Sequence, residues 1–324
     1  MARGVPSRRA ILRWGAPVLY VVIVAVAAVR GQLSLSTDSL FLWIAGFMLA
    51  CTITSPRRFL RGIVDWLPLV VVLLLYDLLR GAADGLLATP HLLPQIDVDR
   101  WLAGGQVPSA WLQQQLWHGP SDLHWWDWAT LAVYITHFIA TLGLAAALWV
   151  FAHDRFRRYM VMVIVLSLTG LATYALYPAI PPWMAAEGGH VPPLARIVPI
   201  TWAHVHVFSF DTMFETGRRY ANDVAAVPSL HAAFALLFSL TLWDMTRRVW
   251  VRALLVLYPL AMGAALVYAG EHYVADVLLG YVYAVATYAG VTWAARPWAA
   301  RRGTVPGAVR ADRAAAAPTP ENVF

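Results

Sequence analysis

The chain has 324 residues, of which 60% are hydrophobic and 13% are charged, whereas an ordinary soluble domain carries about 25% charged residues. All 24 basic residues are arginine, so any motif that requires lysine is excluded. The formal net charge of +6 does not indicate a nucleic-acid groove, because the arginines lie in short patches beside apolar runs. We therefore interpret the chain as an integral membrane protein with no nucleic-acid partner.

Eight apolar segments approach the length of about 20 residues that a helix needs to cross a bilayer. They lie at roughly 14–30, 39–54, 63–79, 128–151, 159–178, 228–245, 250–268 and 273–295. The predicted fold class is all-α, a polytopic transmembrane bundle of about eight helices. We divide it into an N-terminal two-helix membrane segment (1–62), a membrane domain of about six helices (63–298) and a disordered cytoplasmic tail (299–324).

The first segment has two interpretations. Arg8, Arg9 and Arg13 precede a short apolar stretch that ends in AVAA at 25–28, which is also typical of a cleaved signal peptide. We favour a retained helix, because no polar mature domain follows it. The later helices keep the same orientation under both interpretations.

Arginine placement predicts the orientation of the bundle. Of the 24 arginines, 18 fall on one side: Arg3, Arg8, Arg9, Arg13, Arg57, Arg58, Arg61, Arg155, Arg157, Arg158, Arg247, Arg248, Arg252, Arg296, Arg301, Arg302, Arg310 and Arg313. The positive-inside rule makes that side cytoplasmic. We therefore expect a multi-pass protein of the cell membrane with both termini in the cytoplasm.

Two long loops then lie outside. Residues 80–127 contain five tryptophans, a residue that prefers the headgroup level of a bilayer, so we expect interfacial helices there, for instance within 101–117. The second outer loop covers 179–227. It begins within YPAIPPW (177–183), whose prolines prevent the preceding helix from continuing.

The stretch VPSLHAAF (227–234) contains the first candidate site. Pro228 suits the first turn of a helix, and the free N–H groups of that turn form a ready anion site. His231 would lie one turn into the helix, within reach of a bound phosphate. The alternative is a histidine satisfied by a nearby carbonyl group.

The stretch GEHYVADVLLGY (270–281) contains the second candidate site. His272 and Asp276 have i, i+4 spacing, which puts them on one face of a helix. Asp276 can then fix the tautomer of the imidazole and leave its other nitrogen free as a nucleophile or base. The alternative is a buried polar pair that only joins helices.

A helical hairpin of about 40 residues separates the two stretches and brings both histidines to the same membrane face. Two histidines, a carboxylate and a helix N-terminus then converge, which suits phosphoryl transfer through a phosphohistidine. In this hypothesis His272 attacks phosphorus, Asp276 orients it and His231 protonates the leaving alkoxide.

The residues that carry these roles resemble a known family. PSLH followed one hairpin later by HYVAD resembles the type 2 phosphatidic acid phosphatase superfamily of membrane enzymes. The closer resemblance is to its inositol phosphorylceramide synthase branch, and it spans roughly residues 100–285. The stretches that carry it are YITHF (134–138), YPAIPPW (177–183), AAVPSLHAAF (225–234) and EHYVADVLLGY (271–281).

The resemblance implies a site and a reaction. It implies His231 as the acid, with His272 and Asp276 as the nucleophile and its partner. We also expect Tyr177 and Ser229, which lie in the matching stretches, beside the substrate. His137, in the fourth apolar segment (128–151), either lines the same pocket or is a hydrogen-bonding residue of the core. No metal and no cofactor is expected, and the partner is a membrane lipid; the oligomeric state is not predicted.

The chain also departs from the phosphatase pattern. The opening lysine is missing, Leu230 replaces a glycine, and Leu266 stands where an arginine precedes the nucleophile by six residues. These departures weigh against simple phosphatidate hydrolysis more than against membership of the superfamily. To neutralise the phosphate we expect Arg218 or Arg219 on the second outer loop, with Arg196 as the next candidate, because the guanidinium fork suits phosphate.

The sequence leaves the final step of the reaction open. Water would make the enzyme a lipid phosphatase, whereas a second alcohol would make it a phosphotransferase, and the synthase-like motifs favour transfer. A different class, a lipid or solute transporter that uses the polar cluster for binding, is disfavoured by the lack of an internal repeat or a matching pair of broken helices.

Overall fold

The computed structural model describes residues 8–30, 37–83, 90–205 and 224–303. Their helices are α1 (Arg8–Val29), α2 (Thr37–Thr52), α3 (Pro56–Ala83), α4 (Leu93–Leu102), α5 (Pro108–Leu116), α6 (Trp125–Phe151), α7 (His153–Leu176), α8 (Pro182–Glu187), α9 (Ile197–Ala203), α10 (Leu230–Trp243), α11 (Val249–Tyr268) and α12 (Val274–Gly303). In this part of the chain the only bridges between extended segments are two isolated ones. The predicted all-α fold is confirmed.

Each of the eight predicted apolar segments largely coincides with one helix, namely α1, α2, α3, α6, α7, α10, α11 or α12. By length and composition, α7, α11 and residues Val274–Ala295 of α12 can cross a membrane. Helix α6 joins them if its two halves, which are inclined by 42°, form one span. The chain is therefore a multi-pass membrane protein, and the total of about eight spans stays a prediction.

Helix α10 lies at the centre of the membrane domain and packs against α6, α7, α11 and α12. Its alanines Ala232, Ala233 and Ala235 are almost wholly buried, and so is Leu237. Small side chains allow helix backbones to approach closely where lipid provides little hydrophobic driving force for packing. The helix that begins beside His231 is thus enclosed by the other long helices of this domain.

The first outer loop contains two short helices. Helix α4 ends at Leu102, Gly104 and Gly105 adopt positive φ angles of 63° and 97°, and α5 begins at Pro108. The helices predicted in this loop are therefore present, and the two glycines between them adopt this backbone region without a Cβ penalty and reverse the chain. The exposed Trp101 and Trp111 are consistent with the predicted interfacial position of both helices.

The start of α10 also differs from the prediction. Pro228 precedes the helix and Ser229 is its N-cap, so the helix begins at Leu230. The reason is local, because the Ser229 hydroxyl accepts a hydrogen bond from the N–H of Ala232 at 3.4 Å, and serine is a preferred N-cap residue.

The end of the last helix lies further along the chain than predicted. Helix α12 extends to Gly303, so residues 299–303 of the predicted tail are helical. The rest of the tail, residues 304–324, lies outside the described residues.

Candidate active site

His272 lies in the turn between α11 and α12. The turn begins after Tyr268 and passes through Gly270, which has a positive φ of 74°. His272 therefore precedes α12, whereas Asp276 lies in its first turn. The predicted placement of both residues on one helical face is wrong, because α12 begins only at Val274.

The two side chains nevertheless meet. Nδ1 of His272 lies 3.0 Å from the carbonyl oxygen of Ala226 and 3.6 Å from Oδ2 of Asp276. Both neighbours are acceptors, so we assign the hydrogen to Nδ1 and the lone pair of the imidazole to Nε2. His272 is 6% exposed and Asp276 is fully buried, so the ring is held in this orientation by the protein and not by solvent.

Asp276 is fixed by its own helix. Its Oδ2 also accepts a hydrogen bond of 2.9 Å from the backbone N–H of Tyr273. A carboxylate at this position satisfies an N–H group at the helix start and interacts favourably with the helix dipole. The carboxylate that faces His272 is thus anchored by the backbone beside it.

His231 occupies the first turn of α10, opposite His272. The centroids of the two rings are 5.8 Å apart. The ring of His137, on α6, lies 4.0 Å from that of His231, and the ring of Tyr134 stacks on His231 at 5.0 Å. Three histidines from three elements therefore meet, which agrees with the convergence expected from the hairpin; their chemical roles remain predictions.

Ser229 connects the starts of the two helices. It is fully buried, and its backbone N–H donates to the carbonyl oxygen of Asp276 over 3.0 Å. Its hydroxyl caps α10, and the hydroxyl of Tyr174 donates to the adjacent carbonyl of Pro228 at 2.8 Å. The structure therefore places Ser229 within the scaffold of the site.

Tyr177 is the C-cap residue of α7 and stacks on His91, with ring centroids 4.0 Å apart and planes within 7°. Parallel bridges connect His91 with Ala179 and Ala179 with Ala225, so three loops meet next to the start of α10. Burial raises the pKa of the Tyr177 phenol, and the negative charge of Asp276 raises it further. Tyr177 thus stands where these three loops meet.

Arg196 lies at the N-terminal end of α9 and is paired with Glu271, the residue next to His272. Its Nε donates to Oε1 at 3.1 Å and one terminal nitrogen donates to Oε2 at 3.0 Å. The guanidinium also lies 4.2 Å above the ring of Trp183. A cavity of about 300 Å³ opens beside this pair and is lined by Trp183, Glu187, Leu194, Arg196, Pro199 and Ile200.

Arg218 and Arg219, the preferred phosphate ligands on sequence grounds, lie outside the described residues. Among the residues that are described, no group of three or more histidine, cysteine, aspartate or glutamate side chains is arranged to hold a metal ion. The metal-independent reaction stays a prediction.

Sequence reasoning missed three residues around this cluster. Tyr134 stands three residues before His137 in a stretch that had been singled out, so helical spacing could have indicated it. His91 and Asp99 gave no such signal, because they lie in the first outer loop, far from the motifs in sequence. Asp99 accepts hydrogen bonds from the first backbone N–H groups of α12.

Comparison with known proteins identifies the family. A family model described as the PAP2 superfamily matches residues 96–290, which include His137, His231, His272 and Asp276. The chain belongs to the PAP2 superfamily. This confirms the resemblance inferred from the motifs and makes the chain a member of a family of membrane phosphoryl-transfer enzymes.

A relative adds a more specific similarity. The phosphoinositol dihydroceramide synthase of Bacteroides thetaiotaomicron is 33% identical over 130 residues, which are 38% of this chain and 41% of the relative. The matched region thus spans about two fifths of that synthase. No solved structure matches this PAP2 protein.

Proposed function

We propose that this PAP2 protein is a lipid phosphotransferase. It moves a phospho-alcohol headgroup, with phosphoinositol as the leading candidate, from a donor lipid to the hydroxyl group of a second lipid. The observation that carries the proposal is the geometry of His272: its Nδ1 faces Ala226 and Asp276, and its ring lies 5.8 Å from that of His231.

The first half of the reaction uses both histidines. Nε2 of His272 attacks the phosphorus atom of the donor, and the P–O bond to the departing lipid alkoxide breaks. His231 gives a proton to that alkoxide, which leaves as a neutral diacylglycerol. Asp276 stabilises the positive charge that develops on the His272 ring, because its carboxylate lies 3.6 Å from Nδ1.

The second half reverses these roles. The hydroxyl group of the acceptor lipid attacks the phosphorus of the phosphohistidine, and the P–N bond to His272 breaks. His231 accepts the proton of the attacking hydroxyl and returns to its starting state. Attack by water in place of the acceptor lipid would release free inositol phosphate. Whether the enzyme transfers the headgroup or hydrolyses the donor therefore depends on how well the site excludes water.

The substrate phosphate needs positive charge or hydrogen-bond donors. The N-terminal end of α10, which carries His231, offers the favourable end of a helix dipole. We propose that Arg218 and Arg219 add charge from the second outer loop, and that Arg196 reaches the headgroup from its position beside Glu271. His137 and Tyr177 complete the wall around the headgroup in this proposal.

The phosphoinositol assignment is supported by two similarities. The motifs of the chain resemble the inositol phosphorylceramide synthase branch, and a relative of 33% identity is named as a phosphoinositol dihydroceramide synthase. The outer-leaflet location is supported by charge. His231 and His272 lie at the ends of α10 and α12 opposite the arginines 247, 248 and 252, which the positive-inside rule assigns to the cytoplasm.

Headgroup exchange tests this function. The purified protein is reconstituted in vesicles that contain phosphatidylinositol with a labelled inositol ring and an unlabelled ceramide, and the lipids are analysed by mass spectrometry. We expect labelled phosphoinositol on the ceramide and an equal amount of diacylglycerol, and neither with His272→Ala. Release of free labelled inositol phosphate alone would make the protein a hydrolase, and lipid movement across the bilayer without turnover would make it a transporter.

A further inference from the structure

Asp99, on α4, connects that helix to the start of α12. Its Oδ2 accepts a hydrogen bond of 3.1 Å from the N–H of Val274, and its Oδ1 accepts one of 2.9 Å from the N–H of Ala275. The partners are 175 and 176 residues away in sequence. Asp99 is fully buried, so this bidentate contact forms in the interior.

The contact completes the cap of α12. The first N–H groups of a helix have no partner within the helix and need acceptors from elsewhere. Asp276 accepts the N–H of Tyr273, and Asp99 accepts the next two. Two carboxylates from two distant elements thus hold one helical turn, the turn that immediately follows His272.

This arrangement is costly for Asp99. Burial raises the pKa of its carboxyl group to about 6, and the charge of Asp276 adds to the rise, while the two backbone hydrogen bonds oppose it. An asparagine or serine at position 99 could accept one of these hydrogen bonds without burying a charge. The bidentate geometry requires two acceptor oxygens, which only a carboxylate provides.

We infer that Asp99 is a positioning residue for phosphoryl transfer: it fixes the first turn of α12 and thereby sets Asp276 against His272. This inference rests on the proposed function of His272. Asp99 acts through the backbone of Val274 and Ala275 and does not touch the substrate. Its helix, α4, exposes Leu93, Val98 and Trp101 on the opposite face, so Asp99 holds α12 from an outer helix that lies beside the bundle.

Asp99→Asn tests the inference with little change in volume. An asparagine side chain has one acceptor oxygen, so one of the two backbone N–H groups loses its partner. Asp97 is the matched control, because it is the same residue type on the same helix and its side chain is exposed. Asp97→Asn should therefore behave as the unaltered protein.

The decisive readout is the rate constant for labelling of the enzyme by a phosphorus-labelled donor in a single turnover. A lower fraction of folded protein reduces the amplitude of labelling, whereas mispositioned groups reduce its rate constant. We expect Asp99→Asn to lower the rate constant by about tenfold or more, with the amplitude and the KM for donor lipid within about twofold of the unaltered protein. An unchanged rate constant, or a loss confined to the amplitude, would overturn the inference.

Hydrogen exchange provides a second readout that does not depend on catalysis. Peptides that cover residues 272–278 should exchange faster in Asp99→Asn than in Asp97→Asn, because the capped amides lose protection. Equal exchange would overturn the proposed role of Asp99 at the helix start. If the unaltered protein formed no labelled intermediate, the proposed function would fail, and the exchange measurement would still decide whether Asp99 holds α12.

Discussion

The backbone N–H of Ser229 donates to the backbone carbonyl of Asp276 over 3.0 Å, which ties the start of α10 to the start of α12. His231 follows Ser229 by two residues, and Asp276 is the carboxylate that faces His272. The spacing between the proposed acid and the proposed nucleophile is therefore set by a contact between main chains. A change at this crossing should alter the geometry of the site without removing a reactive group.

Gly280 makes this close approach possible. A Cβ atom at position 280 would lie 2.3 Å from the carbonyl oxygen of Ser229 and 3.5 Å from the nitrogen of Ala233. Because these atoms belong to the backbone, they cannot rotate away as a side chain would. Gly280→Ala should therefore separate α10 from α12, destabilise the fold by roughly 1–3 kcal/mol and strongly reduce turnover.

Thermal unfolding and headgroup exchange measured side by side check this prediction. Gly290→Ala is the matched control, since a Cβ atom at position 290 of the same helix would have no neighbour within 4 Å. It should keep the stability and activity of the unaltered protein. Equal behaviour of the two variants would show that the crossing does not control the site.

His231→Ala should slow the departure of the leaving group. A general acid contributes roughly 10²–10⁴-fold to such a step, and the effect is largest for poor leaving groups. We expect a loss in that range for a lipid donor, whose alkoxide needs a proton, and a much smaller loss for an activated aryl phosphate. The measurement is kcat/KM for both substrates; equal losses for the two would remove His231 from the role of acid.

The pair of Arg196 and Glu271 has two interpretations that mutants separate. If Arg196 binds the headgroup phosphate, Arg196→Ala should raise the KM for donor lipid by about 10- to 100-fold, because that factor corresponds to the binding free energy lost with one charged hydrogen bond. Glu271→Gln leaves the guanidinium in place and should leave the KM largely unchanged. Equal effects of both substitutions would show that the pair serves the structure alone.

The same kinetic measurement applies to the arginines of the second outer loop. Arg218→Ala or Arg219→Ala should raise the KM for donor lipid and lower turnover, because no lysine in the chain can share the charge. Wild-type kinetics in both single variants and in the double variant would place the phosphate ligand elsewhere, with Arg196 as the next candidate.

The arginine distribution predicts the orientation of the protein in the membrane. Single cysteines at positions 188 and 303, introduced in a Cys51→Ser background, can be probed with an impermeant thiol reagent on intact cells. We expect labelling at 188 and protection at 303, since the second outer loop faces outside and the end of α12 faces the cytoplasm. The opposite pattern would reverse the proposed membrane side of the site.

Long apolar segments made the helical architecture predictable, but the helix ends were not. A run of apolar residues indicates that a segment is buried in lipid or protein. The first residue of a helix depends instead on which groups accept the free N–H groups of its first turn. At α10 that acceptor is the hydroxyl of Ser229, one residue beyond Pro228. At α12 one acceptor is local, because Asp276 accepts the N–H of Tyr273, but the other is Asp99, 175 positions from Val274, which leaves no signal in the nearby sequence.

The candidate site was likewise predictable only in part. His231, His272 and Asp276 stand within short local motifs, and the hairpin between them made their meeting predictable. The contact of His272 with the carbonyl of Ala226 and the stacking of His91 on Tyr177 were not predictable, because they arise where separate loops pack together.

The central claim is that His272 is the nucleophile, and covalent labelling tests it most directly. The enzyme is exposed briefly to a phosphorus-labelled donor lipid, quenched in base, and assayed for acid-labile label. Asp276→Asn should label more slowly, since it cannot stabilise the positive ring, and His231→Ala should still label with an activated aryl phosphate. We expect label on the unaltered protein and none on His272→Ala; full labelling of His272→Ala would contradict the mechanism.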